Sequence, residues 1–391
     1  MEPKSKNIKS VSVVGGAGHI GLPLSCYLQN CGYEVLIIDN NKQAVLSLEK
    51  GITTFHEEGL NKNLSIALKK GMKISDNLEK IKNSDFVFVT IGTSSKKESI
   101  LFFENLVDDI LEKISEESFL VLRSTVTIKD IQKITKNEVF KNKKIKLAYC
   151  PERIAEGEAF KELVILPQIV GVDDQEILNE ILDFFKQLKI EVIPTSIKNA
   201  VFIKLFSNAY RHANFSLANE FYNIANKNNI AYSEVAEIAK KDYPRLKNLP
   251  LTGYVGGPCL PKDLETFIKT FGVENSLLNH LEEVNDKYLD SIVKNCNNIF
   301  KSKKIIQLGL SFKNNSDDVR GSGSIVLYTK LIESGFEVYA VDPCVNEDDL
   351  PFEIYDYKNI QNETNNILIA VNHDIFKEYN IDNKCVLYAE F

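Results

Sequence analysis

The chain repeats one alternation several times: a short β-branched or aromatic run, a break rich in Gly, Ser or Thr, then apolar residues every three or four positions. Ser10 to Val14 predicts a buried strand, followed by a helix to about Gln29 and a strand, Gly-Tyr-Glu-Val-Leu-Ile-Ile-Asp, ending at Asp39. Asp85-Phe-Val-Phe-Val-Thr-Ile-Gly, Phe119-Leu-Val-Leu-Arg and Lys146-Leu-Ala-Tyr-Cys predict further strands, with a helix over 103–115. From Lys198 to Lys227 there is no Gly or Pro, and the spacing predicts one long amphipathic helix; residues 277–300 predict another. Alternation resumes with Lys304-Ile-Ile-Gln-Leu, a helix to about Ser334, and Gly-Phe-Glu-Val-Tyr-Ala-Val-Asp ending at Asp342. That segment echoes residues 32–39, and strands at Asn366 and Cys385 close the chain. The pattern predicts an α/β fold with two Rossmann-like doubly wound domains, residues 1–195 and 301–391. A long central helix and a helical middle domain, 196–300, join them.

Composition narrows the picture. Hydrophobic residues make up 44% and charged residues 26% of 391, the values of an ordinary soluble globular protein. A net charge of -7 carries no basic footprint for nucleic acid. The seven cysteines are scattered and hold no Cys-x-x-Cys, which suits a reducing cytoplasm and argues against a disulfide framework or structural zinc. Lysines before the apolar run Val11–Leu28 imitate a signal peptide, but the run is broken by glycines and His19 and reads as a strand and helix of the mature chain. No segment is long and apolar enough to span a bilayer.

Candidate chemistry concentrates at strand ends and in one loop. Gly16-Ala17-Gly18-His19-Ile20-Gly21 follows the first strand and opens a helix, and Asp39 lies 18 positions after Gly21. The pattern suits a dinucleotide: pyrophosphate at the helix N-terminus, ribose hydroxyls on the carboxylate, and NAD favoured over NADP because a carboxylate repels a 2′-phosphate. Gly92, Thr93, Thr125 and Glu152 stand at later strand ends, where ligands collect in open α/β sheets. Helix capping for the threonines and a solvated charge for Glu152 are the alternatives. Lys204 and Asn208 share a helix face, which an interaction surface would also explain. In Gly253-Tyr-Val-Gly-Gly-Pro-Cys-Leu-Pro-Lys-Asp263, Cys259 has Gly256 and Gly257 before it and Lys262 and Asp263 after it. Pro258 and Pro261 stiffen the loop on either side. Lys262 favours a thiolate or holds an anion and Asp263 orients water; the alternative is a turn around a buried, inert cysteine.

Taken in order, five motifs resemble those of the nucleotide-sugar 6-dehydrogenases across nearly the whole chain. They are the glycine fingerprint, Ser124-Thr-Val, Pro151-Glu-Arg-Ile-Ala-Glu-Gly157 with Lys204 through Asn208, the Cys259 loop, and Phe312-Lys-x-x-Ser-Asp-Asp-x-Arg320. The resemblance implies oxidation of a UDP-sugar at C6 to a carboxylate, using two NAD and one water. Cys259 is implied as the nucleophile, Asp263 as the residue activating water, and Lys204 with Asn208 as oxyanion stabilisers. Glu152 is implied as acid/base, with Thr125 holding a water beside it. Arg153, Tyr254, Gly256, Phe312 and Lys313 are implied substrate contacts, joined by Arg245 reaching across a homodimer. Glu156, Lys262 and Arg320 match NAD-side positions. Two departures lie beside the nicotinamide position: Thr127 replaces the family's proline, and the loop after Gly92-Thr93 is short. Within the family, Cys150-Pro-Glu-Arg-Ile-Ala-Glu-Gly, Leu166-Pro-Gln-Ile-Val-Gly and Asp242-Tyr-Pro-Arg are most similar to the UDP-N-acetylmannosamine branch, with UDP-N-acetylglucosamine and UDP-glucose as alternatives. A two-electron β-hydroxyacid dehydrogenase needs no cysteine, and a nucleotide-sugar sensor has no use for Cys259, Lys204 and Asp263 together.

Overall fold

The structure is a computed structural model that describes residues 10–94 and 96–389. The lysine-rich start and the last two residues of the expected third domain lie outside the described residues. The chain divides into two compact units, Met1–Leu205 and Phe206–Phe391.

In the first unit, strands β1 (Ser10–Val14), β2 (Glu34–Ile38), β3 (Lys73–Ser75), β4 (Phe86–Val89), β5 (Phe119–Leu122), β6 (Lys146–Tyr149), β7 (Gln168–Gly171) and β8 (Val192–Thr195) form one sheet. Its order is β3-β2-β1-β4-β5-β6-β7-β8. β3 through β6 run parallel; β7 meets β6 antiparallel and β8 pairs parallel with β7. Phe86–Val89 and Phe119–Leu122 are buried at every position, which is why they read as continuous apolar runs rather than alternating ones. Phe86 stacks on Phe119 at 4.5 Å and on Phe184 at 4.4 Å between ring centroids, at the centre of this core. The chain leaves β1 towards β2 and β3, then returns to β4 on the other side. A crevice therefore opens at the carboxyl ends of β1 and β4.

Three strands escape the sequence pattern for local reasons. β3 has three residues at one sheet edge. β8 lies at the other edge, with Ile193 and Pro194 exposed, and an edge is where a proline's missing N–H is tolerated. β7 is a four-residue run beside β8. Helix limits also move: the helix expected over 103–115 starts at Lys97, and that expected at 277 starts at Leu281 after a 3₁₀ turn.

In the second unit, β9 (Lys304–Leu308), β10 (Glu337–Val341), β11 (Asn366–Ile369) and β12 (Cys385–Tyr388) form a parallel sheet, order β10-β9-β11-β12. The echo of residues 32–39 in 335–342 has a structural meaning, since β10 lies beside β9 as β2 lies beside β1. Leu281–Ile299 and Gly323–Glu333 pack on this sheet through Leu289, Ile292, Leu327 and Leu331.

The long helix, Ile197–Lys227, is present; it buries Val201 and Leu205 near its start, but over residues 206–224 its amphipathicity is inverted. Its buried face carries Asn208, His212, Ser216, Asn219 and Asn223, while Phe206, Tyr210, Leu217, Phe221 and Ile224 are exposed. Both sets recur at three, four or seven, so each is a continuous stripe.

Candidate active site

Five parallel strands deliver the first unit's candidates to the carboxyl edge of the sheet, where β1, β2, β4, β5 and β6 end. The turn after β1 is built on close approach: a Cβ at Gly16 would stand 2.7 Å from the Val13 carbonyl and one at Gly21 2.7 Å from Thr90 Oγ1. At Gly18 the same atom meets only Gly15 O, at 3.5 Å, which leaves the outer side of the turn open. Ala17 N–H donates to Asp39 Oδ2 (3.0 Å) and Asn41 N–H to Oδ1 (3.0 Å), so Asp39 is aimed at the glycine turn while each oxygen keeps acceptor capacity. His19 packs its ring 4.0 Å from that of Phe55, and its buried Nδ1 has no partner. An open backbone turn, a fixed carboxylate and an orphaned imidazole nitrogen together fit the pyrophosphate and ribose of a dinucleotide. Ile20 precedes the helix Gly21–Asn30 as its N-cap residue.

Further along the edge, Thr93 Oγ1 donates to the Thr125 carbonyl at 2.9 Å and ties the loop after β4 to that after β5. Gly92 beside it is exposed, with open space at its Cβ position. Thr127, the family departure, caps the helix Ile128–Lys136 in a capping box with Asp130, a role proline cannot fill. Glu152 is buried and fully engaged: Arg123 Nη2 donates to Oε2, while the N–H groups of Arg153 (2.7 Å) and Ile154 (2.9 Å) donate to Oε1. Arg123 also donates to Gln168 Oε1 at 2.8 Å, so one buried guanidinium joins β5, β6 and β7. Burial lowers the Arg123 pKa to about 10 and raises that of Cys150 to about 12, each charge opposing the other's shift. Arg153 Nη2 donates to the Pro167 carbonyl, and Glu156 lies half-buried in the same loop. Glu57, which carries no sequence signal beyond its charge, is buried and accepts from Gly157 N–H (2.7 Å) and Ala159 N–H (2.8 Å). It thereby holds this loop from a distant segment.

The second unit brings Cys259, Asp263 and Asn208 together. Cys259 is exposed and is the N-cap residue of the helix Leu260–Phe271, with Pro261 in the first turn. The expected loop after the thiol is therefore a helix start, where unpaired N–H groups favour an anion. Cys26, Cys150 and Cys296 differ: all are buried, and burial pushes each to about 12. Asp263 lies one turn after Cys259, is completely buried, and accepts from Asn208 Nδ2 at 2.6 Å, with Lys262 Nζ 3.3 Å from its other oxygen. Lys204, half-buried, precedes Asn208 by one turn of the same helix.

The Cys259 loop is fused to the loop that carries Phe312 and Lys313. Gly257 N–H donates to the Gly321 carbonyl at 2.9 Å, and at φ +81° Gly257 turns the chain as L side chains rarely do. A Cβ there would stand 2.7 Å from the Phe312 ring; one on Gly256 would run into the Gly321 carbonyl, and one on Gly323 into the Tyr254 ring. Burial, then the charges of Glu282 and Asp286, pushes the Tyr254 phenol up to about 12. Asp342, at the end of β10, accepts from Leu310 N–H (2.7 Å) and Ser311 N–H (3.2 Å). Its partner His373 takes Asn315 N–H on Nδ1 (2.8 Å) and donates from Nε2 to Asp342 (3.0 Å). Burial pushes the Asp342 carboxyl up, but His373 and the backbone donors outweigh it and the net direction is down. Asp342, Cys344 and His373 gather ligand atoms within 4.8 Å, yet Nδ1 is committed as an acceptor, so Nε2 carries the proton and has no lone pair for a metal. The cluster shapes the 310–315 turn instead. Lys313 Nζ lies 5.5 Å from the Phe312 ring, Arg320 pairs with Asp318, and Arg245 is exposed beside Tyr243 in a 3₁₀ turn.

Three domain descriptions match the chain in sequence order: the NAD binding domain (residues 9–189), central domain (198–287) and UDP binding domain (307–388) of the UDP-glucose/GDP-mannose dehydrogenase family. The UDP-N-acetyl-D-mannosamine dehydrogenase of Methanocaldococcus jannaschii is 31% identical over 388 residues, covering 95% of this chain and 87% of that protein. The chain belongs to the UDP-glucose/GDP-mannose dehydrogenase family. It is similar to the UDP-N-acetyl-mannosamine dehydrogenase of Staphylococcus aureus at 26% identity and a TM-score of 0.81, covering 97% of both chains. The UDP-D-ManNAc dehydrogenase structure from Pyrococcus horikoshii, 24% identical, shares the fold at a TM-score of 0.84 over 97% of this chain and 93% of that one.

Membership makes this an NAD-dependent nucleotide-sugar dehydrogenase, and the turn after β1 fits that cofactor on its own geometry. The β-hydroxyacid dehydrogenase reading gives way to the family match, which includes its UDP binding domain. Among the described residues no helix is long and apolar enough to cross a membrane.

Proposed function

We propose that this enzyme oxidises C6 of a UDP-sugar, UDP-N-acetyl-D-mannosamine first among candidates, to the uronic acid through a thioester on Cys259. The observation that carries the reading is the exposed thiol at a helix N-terminus, with Asp263 one turn on and bonded to Asn208. The balance is one primary alcohol, two NAD and one water giving one carboxylate, two NADH and three protons. NAD supplies the hydride acceptor in both oxidations. Cys259 Sγ attacks the C6 aldehyde left by the first oxidation, and loss of hydride from the thiohemiacetal gives the thioester. Water then breaks the C–S bond, with Asp263 placed to orient it and to take its proton. Lys204 and Asn208 offer a cation and an amide donor to the oxygen that becomes negative at C6. Lys313 with Phe312 takes the nucleotide end, Tyr254 and Gly256 line the same seam, and Arg153 meets the sugar. Glu156, Lys262 and Arg320 are proposed on the NAD side. Glu152, with both oxygens engaged, is better suited to fixing the loop and the water on Thr125 than to shuttling a proton.

The names of the most similar relatives support the N-acetylmannosamine sugar. We retain the three-domain division, 1–195, 196–300 and 301–391, as the functional one. The scattered cysteines support a cytoplasmic enzyme, whose uronic acid would serve a surface polysaccharide or glycan. NADH release with a panel of UDP- and GDP-sugars tests the reading. UDP-N-acetylmannosamine is expected to give about two NADH per sugar; one NADH per sugar would refute the thioester route.

The exposed stripe Phe206, Tyr210, Leu217, Phe221 and Ile224 supports a homodimer, because a straight apolar stripe is self-complementary across a two-fold axis. Arg245 is the residue proposed to cross that interface. Replacing Leu217 and Phe221 by Glu is expected to halve the mass measured by light scattering. An unchanged mass would remove the stripe from the interface.

A further inference from the structure

Residues 253, 255 and 257 are tied down in alternation. Asn219 Nδ2 donates to the Gly253 carbonyl (2.7 Å) and its Oδ1 accepts from Gly253 N–H (2.9 Å). Asn285 repeats this on the next odd residue, with Oδ1 accepting from Val255 N–H (2.7 Å) and Nδ2 donating to the Val255 carbonyl (3.0 Å). Gly257 N–H then donates to the Gly321 carbonyl at 2.9 Å. Each asparagine exchanges two bonds with one residue, as the hydrogen-bonded pairs of an antiparallel ladder do. Two side chains from separate helices, Ile197–Lys227 and Leu281–Ile299, thus serve as strand partners for this segment. Both asparagines are completely buried, and removing either amide leaves a buried N–H and a buried carbonyl unpaired. Cys259 is the next odd position after this run.

We infer that Asn219 and Asn285 are positioning residues that set where Cys259 Sγ meets the aldehyde. The inference rests on the reading of Cys259 as the nucleophile. A thiol that must approach C6 to within about 3–3.5 Å loses on the order of 100-fold in rate for a 1 Å misplacement. The first oxidation needs no thiol, so a displaced loop holds back the second half of the reaction and lets aldehyde escape. This effect changes the ratio of products and is independent of how many molecules are folded.

The test counts NADH per sugar consumed, with semicarbazide present to trap free aldehyde, in the full-length wild-type protein and in Asn285→Ala and Asn219→Ala. The wild type is expected to yield two NADH and little adduct; either variant is expected to move towards one NADH with adduct accumulating and acid formation falling about 100-fold. Asn223→Ala is the control. It removes the acceptor of a partly buried bond on the same helix face, Ser291 Oγ to Asn223 Oδ1 at 2.7 Å, but touches no loop residue, and its ratio is expected to stay at two. If the alanine variants do not fold, Asn285→Ser and Asn219→Ser keep a neutral hydroxyl in place of the amide, and carry the same expectation in smaller degree. A ratio of two without adduct in the asparagine variants reduces both residues to scaffold and overturns the inference. One NADH per sugar in the wild type overturns the nucleophile reading itself, a separate outcome.

Discussion

Cys259→Ser is expected to lower acid formation by about 1,000-fold or more, some 4 kcal/mol of transition-state stabilisation, with the fold intact. Structural loss cannot imitate this result. The side chain is exposed and occupies an N-cap position, where serine is among the preferred residues. The hydroxyl differs from the thiol in how readily it becomes an anion and in what kind of ester it forms, and those properties separate the second oxidation from the first. Unchanged thermal unfolding, retained nucleotide-sugar binding and an early halt of NADH release would together support the thioester. Wild-type turnover in the serine variant would remove it.

Arg123→Met is expected to destabilise the first unit by about 3–5 kcal/mol, because it leaves the Glu152 carboxylate buried and without its cation. For a unit of about 200 residues that corresponds to a drop of roughly 10 °C in Tm. Pairing it with Glu152→Gln removes the orphaned charge and is expected to recover much of the loss. The comparison of melting curves checks the claim that Glu152 anchors the loop after β6. A single variant as stable as the wild type would mean that the pair carries no structural weight.

The glycine turn, its acid and the long helix were legible because each is written in neighbouring residues. Asp39 needs only a count of positions from Gly21, and the 198–227 helix only its uninterrupted period. What could not be read were relations between distant segments. Glu57 serves a loop 100 residues away, and Asn285 serves the peptide of Val255; neither has a local pattern that marks it. The helix after Cys259 was hidden by Pro261, which the sequence offers equally as a loop stiffener or as a first-turn residue. The sense of the long helix was hidden too, since periodicity locates an apolar stripe without saying which way it faces.

The inverted helix has a consequence for concentration. A single chain turns the stripe from Phe206 to Ile224 to water, and in the proposed homodimer association removes that apolar surface from solvent. Dilution should then act on the catalyst as a reagent does, with specific activity and melting temperature both falling as subunits part, by mass action.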